Sequence, residues 1–195
     1  MSNNKAQVQE QKVSRFVGVA VIMILAAIIV ALSVLLILDS LGAFYPDNEV
    51  VITAPELENG TMLTEGAYKY ARLKDGTVMI VLCTLEDGTT EVTVPSTLGG
   101  CKVSAIGESA LALTASETLK TIILPEGITY IGMAAFFGVE NANIYIPSTV
   151  TDIDKDAFSG VDDPEGIFYN GTEQDWLKIR VGSGNSVLAM VKYQK

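Results

Sequence analysis

The first fact about the chemistry available to this 195-residue chain is an absence: it contains no histidine. That removes the commonest metal ligand and the commonest general base together. Two cysteines, Cys83 and Cys101, do not make a zinc site without it. In an oxidising compartment they could pair; equally, each could be an ordinary buried thiol, and the sequence leaves both open. Serines and carboxylates remain, but a nucleophile needs a base held beside it, and here only lysine or a paired carboxylate could serve. No spacing nominates such a pair. The two acids of a glycosidase-type hydrolase meet only in space, so that class keeps a small place among the readings.

Three short patterns imitate binding motifs. Asp152-Ile-Asp154-Lys-Asp156, with Asp163 at the twelfth position, sets oxygen ligands at alternate positions as a calcium loop does. Ala157 stands where that loop turns on glycine, and Asp163 where it needs a bidentate Glu. Gly182-Ser183-Gly184-Asn185 lacks the lysine and the strand-to-helix setting of a phosphate loop, and reads as a turn. Trp176 follows Thr172, a helix N-cap candidate, and shares a helical face with Ile179, which predicts a largely buried core cap rather than a ligand platform. The expectation is no metal, no cofactor and no enzymatic activity.

The elements that would have to position any site begin with an anchor. From Phe16 to Leu38 only Gly18 and Ser33 interrupt the apolar run, and as a helix these residues would span about 34 Å, enough for a bilayer core of about 30 Å. A cleaved signal peptide fits less well, because its apolar core runs only about 7 to 15 residues. Lys5, Lys12 and Arg15 precede the span, whereas Asp39, Asp47, Glu49, Glu56 and Glu58 follow it before the first basic residue, Lys69. The charge bias predicts a cytoplasmic tail (1–15), a single transmembrane helix (16–38) and an extracytoplasmic remainder. Residues 39–65, with Pro46, Pro55, Gly42 and Gly60, show no sustained periodicity and read as a juxtamembrane spacer.

The rest of the chain is acidic. The whole carries −10, and without residues 1–38 ten basic face 22 acidic side chains, a net charge of −12. Nucleic acid is an unsuitable partner for such a surface, since phosphate recognition needs clustered cations.

Self-similarity sets the fold. Ile122, Leu124, Pro125, Ile128, Ile131, Ala135 and Phe136 recur as Ile144, Ile146, Pro147, Val150, Ile153, Ala157 and Phe158, a constant shift of 22 residues. A looser third copy runs through Val92, Val94, Pro95, Val103, Ile106, Ala110 and Leu111, with Gly99-Gly100 inserted. A period of this length belongs to stacked repeats that each give one short strand and share a core with their neighbours. Alternation in Ile122-x-Leu124 and Ile144-x-Ile146 turns apolar side chains inward, and the proline that follows ends the strand by withholding a donor. Thr149 and Asp154 replace Gly127 and Gly132 in the next copy, which suggests that neither glycine is an absolute geometric need.

With these units in view the chain resembles the BspA-like leucine-rich repeats of bacterial surface proteins, whose units run strand, Ile-Pro, then Val-x-x-Ile-Gly-x-x-Ala-Phe. Tyr68-Lys-Tyr70, Leu73-Lys-Asp75-Gly76-Thr77 and Val92-Thr-Val94-Pro95 resemble that family's opening hairpin, and Phe168-Tyr169-Asn170-Gly171-Thr172 with Trp176 its closing unit. Leu111 for the usual Phe and Asp154 for the usual Gly are departures. The resemblance implies a mainly β fold with short helices and turns, a small leucine-rich-repeat solenoid over 66–195 behind an N-terminal β-hairpin. It also implies a non-catalytic cell-surface interaction or adhesion role with a macromolecular partner, protein or matrix glycan. An assembly subunit of an envelope complex is the alternative.

One surface is singled out by the alternation itself. Between the inward pairs, Ile123 and Tyr145 should point outward on adjacent strands, with Thr93 before them and Phe168 after, although the choice between Phe168 and Tyr169 is open. The result would be an apolar column on a strand face, either an interaction site or a surface covered by the terminal strands.

Overall fold

The computed structural model describes residues 50–112, 118–140, 142–161 and 166–195. The expected tail (1–15), membrane helix (16–38) and residues 39–49 of the spacer, together with Asp163, lie outside the described residues. Among the described residues no helix is long and apolar enough to cross a membrane.

The described chain opens as an antiparallel meander. Strand β1 (Leu57–Glu65) pairs with β2 (Tyr68–Leu73), and β2 with β3 (Val78–Cys83). Asp75-Gly76 makes the β2–β3 turn, with Asp75 Oδ1 accepting from Thr77 N at 2.9 Å. Residues 57–65, read from sequence as the end of a spacer, are thus an edge strand. Asn59-Gly60 falls where the β1–β2 register shifts, between Leu57 and Met62, and this irregularity hides the strand's alternation.

From β3 the chain winds into coils that alternate between two sheets. Strand β4 (Glu91–Thr93) starts the second sheet; β5 (Thr97–Leu98) turns back on β6 (Cys101–Ile106), which pairs parallel with β3. Then come β7 (Thr121–Ile123), β8 (Tyr130–Ile131), β9 (Asn143–Ile146), β10 (Asp152–Ile153) and β11 (Ile167–Tyr169). A short helix α1 (Glu173–Trp176), β12 (Arg180–Val181), a 3-10 turn (Ser186–Met190) and β13 (Lys192–Tyr193) complete the fold. The first sheet runs β1-β2-β3-β6-β8-β10-β12 and the second β4-β7-β9-β11-β13. The described chain is therefore mainly β, a solenoid of about four turns behind a meander, and the unit that closes it is a further turn in parallel register.

The 22-residue repeat is visible as columns of buried side chains. Ile122 and Ile144 stand in register and fully buried in the second sheet, as do Ile106, Ile131 and Ile153 in the first. At the corner that follows, Leu111, Phe136 and Phe158 fill the interior, the two rings stacked with centroids 4.8 Å apart. Each corner is reached through a left-handed residue: Ser109 (φ 53°), Ala134 (φ 52°), Asp156 (φ 56°) and Gly184 (φ 78°). Three of these four are not glycine, so the winding of the coil, not the residue type, imposes the conformation.

The corners are joined by a backbone ladder that ends on a side chain. Leu111 N donates to Ala135 O at 2.9 Å and Phe136 N to Ala157 O at 2.8 Å. Phe158 N, next in line, donates to Asn185 Oδ1 at 2.9 Å. The Asn185 amide thus replaces the carbonyl of a following coil, while its Nδ2 donates to Asp154 O and Gly182 O, each at 2.9 Å. Gly182–Asn185 is indeed a turn, and its Asn terminates the solenoid.

Two glycines prove more constrained than the comparison of copies suggests. Gly127 has φ 106°, and a Cβ on Gly132 would lie 2.8 Å from the carbonyl carbon of Gly107 in the preceding coil. Asp154 stands at the equivalent place of the next coil, where its carboxylate accepts from the Tyr130 hydroxyl and from Lys155 N.

Candidate interaction surface

The structure places the four residues singled out from the alternation in one column. Thr93 pairs with Ile123, Ile123 with Tyr145, and Tyr145 with Phe168, all in parallel register across β4, β7, β9 and β11. Phe168 points outward and is half-buried, whereas Tyr169 is 1% exposed, which resolves the register. Parallel strands stack about 4.8 Å apart, so identical positions on neighbouring coils must meet face to face. Tyr145 and Phe168 do so, with centroids 4.8 Å apart and planes 12° from parallel.

Stacking changes what the column offers. The rings spend a face on each other, and Lys192, next in register on β13, lies with Nζ 5.3 Å from the Phe168 centroid. Ile123, Tyr145 and Phe168 are half-buried and Thr93 exposed. What reaches solvent is therefore ring edge and phenol hydroxyl rather than a broad apolar plane.

Part of the first sheet's outer face is occupied by the chain itself. Ile52 and Leu57 pack against Leu73, Ala105 and Tyr130, forming a second small apolar cluster outside the main core. Of the two outer faces, only this one carries such a cover from the described N-terminal segment.

Beside the column runs a groove whose lining includes Ile123, Tyr145 and Pro147 together with Glu126, Asn170 and Gln194. Glu126 is held in place: its Oε1 accepts from Asn170 Nδ2 at 2.9 Å and from Ser148 N at 3.4 Å, and Ser148 Oγ lies 3.3 Å from each carboxylate oxygen. Sequence reasoning did not nominate Glu126, Asn170 or Gln194. The signal was present, because Pro95-Ser96 and Pro147-Ser148 carry serine where Pro125-Glu126 carries an acid.

The other candidates are absorbed by structure. Asp152 forms an ion pair with Arg180 and accepts from Thr151 Oγ1 at 2.8 Å. Asp154 accepts from the Tyr130 hydroxyl at 2.8 Å and from Lys155 N at 2.7 Å. Burial, then this bond to Asp154, pushes the Tyr130 phenol well above its ordinary range. Among the described residues no three acidic or cysteine side chains converge as a metal-binding group.

Trp176 departs from its expected burial. Thr172 does cap α1, accepting from Asp175 N at 3.2 Å, but Trp176 is only half-buried and packs edge-on against Tyr169 at 5.1 Å. A helix of one turn at the surface cannot sink a ring of that size. Cys83 and Cys101 are both free. They sit near opposite ends of the adjacent strands β3 and β6, roughly 20 Å apart by strand rise, far beyond disulfide reach. Burial pushes the Cys83 thiol up to about 11.

Residues 88–172 match the model of the BspA type leucine rich repeat region, in six copies. No curated protein matches the chain in sequence. A leucine rich cell surface protein from Faecalibacterium prausnitzii A2-165 is similar in structure, with a TM-score of 0.44 and 20% identity over 70% of this chain. The chain spans 44% of that protein's length.

Proposed function

The chain carries a BspA-type leucine-rich-repeat region over residues 88–172, and from that premise we propose that it is a non-catalytic, extracytoplasmic binding module for a macromolecular partner at the cell surface. The apolar run 16–38 serves as its single-pass anchor, with the N-terminus in the cytoplasm. The observation that carries the reading is the contrast between the two outer faces. One is covered in part by Ile52 and Leu57, whereas the other presents Thr93, Ile123, Tyr145 and Phe168 in a partly exposed column. A repeat protein uses such a continuous strand face because neighbouring coils repeat the same outward position at fixed spacing.

The test is capture from cell-surface and matrix extracts by residues 50–195, a span that keeps β1 on the edge of the meander. Wild type should retain a partner saturably, and an Ile123→Asp/Tyr145→Asp variant with an unchanged circular dichroism spectrum should lose it. If the fragment captures nothing while the full chain co-purifies with envelope proteins, the chain is an assembly subunit instead. The exposure of Leu177 (76%) and Met190 (65%) on the last coil is the observation that favours that second reading.

A further inference from the structure

Building on the binding-module reading, we infer that the groove beside the column recognises a cationic side chain, arginine or lysine, on an extended segment of a protein partner. Of the residues lining the groove only Glu126 carries a charge; the rest are apolar or amide side chains and the Tyr145 phenol. A site of this kind suits a ligand with an apolar stem and one positive head, since the stem replaces water on Ile123, Pro147 and the Tyr145 edge while the head meets the carboxylate.

Glu126 is prepared for this. Its Oε1 is engaged by Asn170 and Ser148, whereas among the described residues Oε2 takes only the Ser148 hydroxyl, at 3.3 Å. A carboxylate offers about four acceptor positions, so Oε2 retains capacity directed by partners already in place. The side chain has lost much of its rotamer freedom before any ligand arrives, and a ligand then need not supply that ordering. The chain also shows that this column accepts a cation: Lys192 lies over the far ring of the same stack.

Long-range charge acts in the same direction. With −12 on residues 39–195 the domain attracts basic segments and repels acidic ones, and Glu126 turns that general attraction into a local contact. Acidic glycans and acidic peptides are disfavoured by the same field.

The experiment titrates the full chain into fluorescein-labelled nonapeptides that differ only at the central residue, arginine, citrulline or glutamate, followed by fluorescence anisotropy. The arginine peptide should bind at least tenfold more tightly than its neutral citrulline isostere, with an advantage that shrinks as salt is raised. Glu126→Gln keeps an amide oxygen for Ser148 and should reduce the advantage to threefold or less. Glu86→Gln, which removes an equal charge outside the groove, should leave it intact. Equal binding of the arginine and citrulline peptides, an equal effect of the two substitutions, or no binding of any peptide overturns the inference. A partner captured from extracts and lost in the Ile123→Asp/Tyr145→Asp variant would still uphold the binding module in each of those cases.

Discussion

Replacing Asn185 by alanine tests the account of how the solenoid ends. The side chain is 8% exposed and makes its bonds at the last buried corner: Phe158 N to Oδ1, and Nδ2 to the carbonyls of Asp154 and Gly182. Alanine leaves the Phe158 N–H without its acceptor beneath a packed ring, which costs about 1–3 kcal/mol for a buried donor left unsatisfied. The two carbonyls lose about 1 kcal/mol more between them, because each keeps a second lone pair and reaches water more readily. The expected loss is about 2–4 kcal/mol, a large share of the roughly 5–15 kcal/mol that stabilises a domain of this size. Guanidinium unfolding of residues 50–195 measures it as a lower midpoint at unchanged slope, and hydrogen exchange should show the Phe158 amide deprotected first. Asn185→Asp separates donor from acceptor: its carboxylate can accept from Phe158 N but sets negative oxygen against the carbonyls of Asp154 and Gly182. That variant should be at least as unstable as alanine at pH 7, and should recover part of the loss when acid protonates the carboxyl and restores a donor. An alanine variant within about 0.5 kcal/mol of wild type, with Phe158 exchanging as before, would refute the capping argument.

Two further substitutions or reactions probe the coils themselves. Ala134 holds φ 52° at a corner that every coil repeats, so Ala134→Gly should stabilise by about 0.5–1 kcal/mol and raise the unfolding temperature by a few degrees; a lower temperature would show that the corner is not strained. With its thiol pushed from the ordinary 9.0 up to about 11, Cys83 holds less thiolate at pH 8 than an unburied cysteine, on the order of a hundredfold less. Labelling by a disulfide reagent at pH 8 should therefore be slow at Cys83 in the native protein and fast after unfolding, and its native rate should climb with pH towards 11. Rapid native labelling at pH 8 would mean that β3 opens or that the thiol is not buried.

What the sequence disclosed was whatever repeats. Ile122/Ile144, Phe136/Phe158 and the prolines between them recur at one spacing, and a recurring spacing in a stacked fold is a statement about which side chains share a column. The outward residues Ile123 and Tyr145 followed from alternation, which left Phe168 and Tyr169 as alternatives, and the structure puts Phe168 in register with Tyr145. The repeat did not disclose what happens between coils. That Gly132 lies against Gly107 depends on interstrand approach, and comparing copies suggested the opposite because Asp154 stands at the equivalent place of the next coil. Strand β1 escaped notice because the shift near Asn59-Gly60 breaks the period of two by which strands are recognised.

The residues assigned to closure and to the proposed recognition share one property: each breaks the repeat. Asn185 follows Gly184, where the inner copies set alanine after the left-handed residue, as in Ala134-Ala135 and Asp156-Ala157. Glu126 stands where neighbouring copies have serine. Buried repeat positions are constrained alike in every coil by the column above and below, so a coil has little freedom to encode anything of its own there. Individuality is confined to places where a side chain has no equivalent neighbour on one side, the terminal coil, or where it projects beyond the stack, the groove wall. In a solenoid of about four turns such places make up an unusually large share of the molecule. On the proposed reading a partner that distinguishes this chain from another of the same repeat reads the departures, and Glu126, engaged by Ser148 and Asn170 from the next two coils, is the departure that faces an open groove.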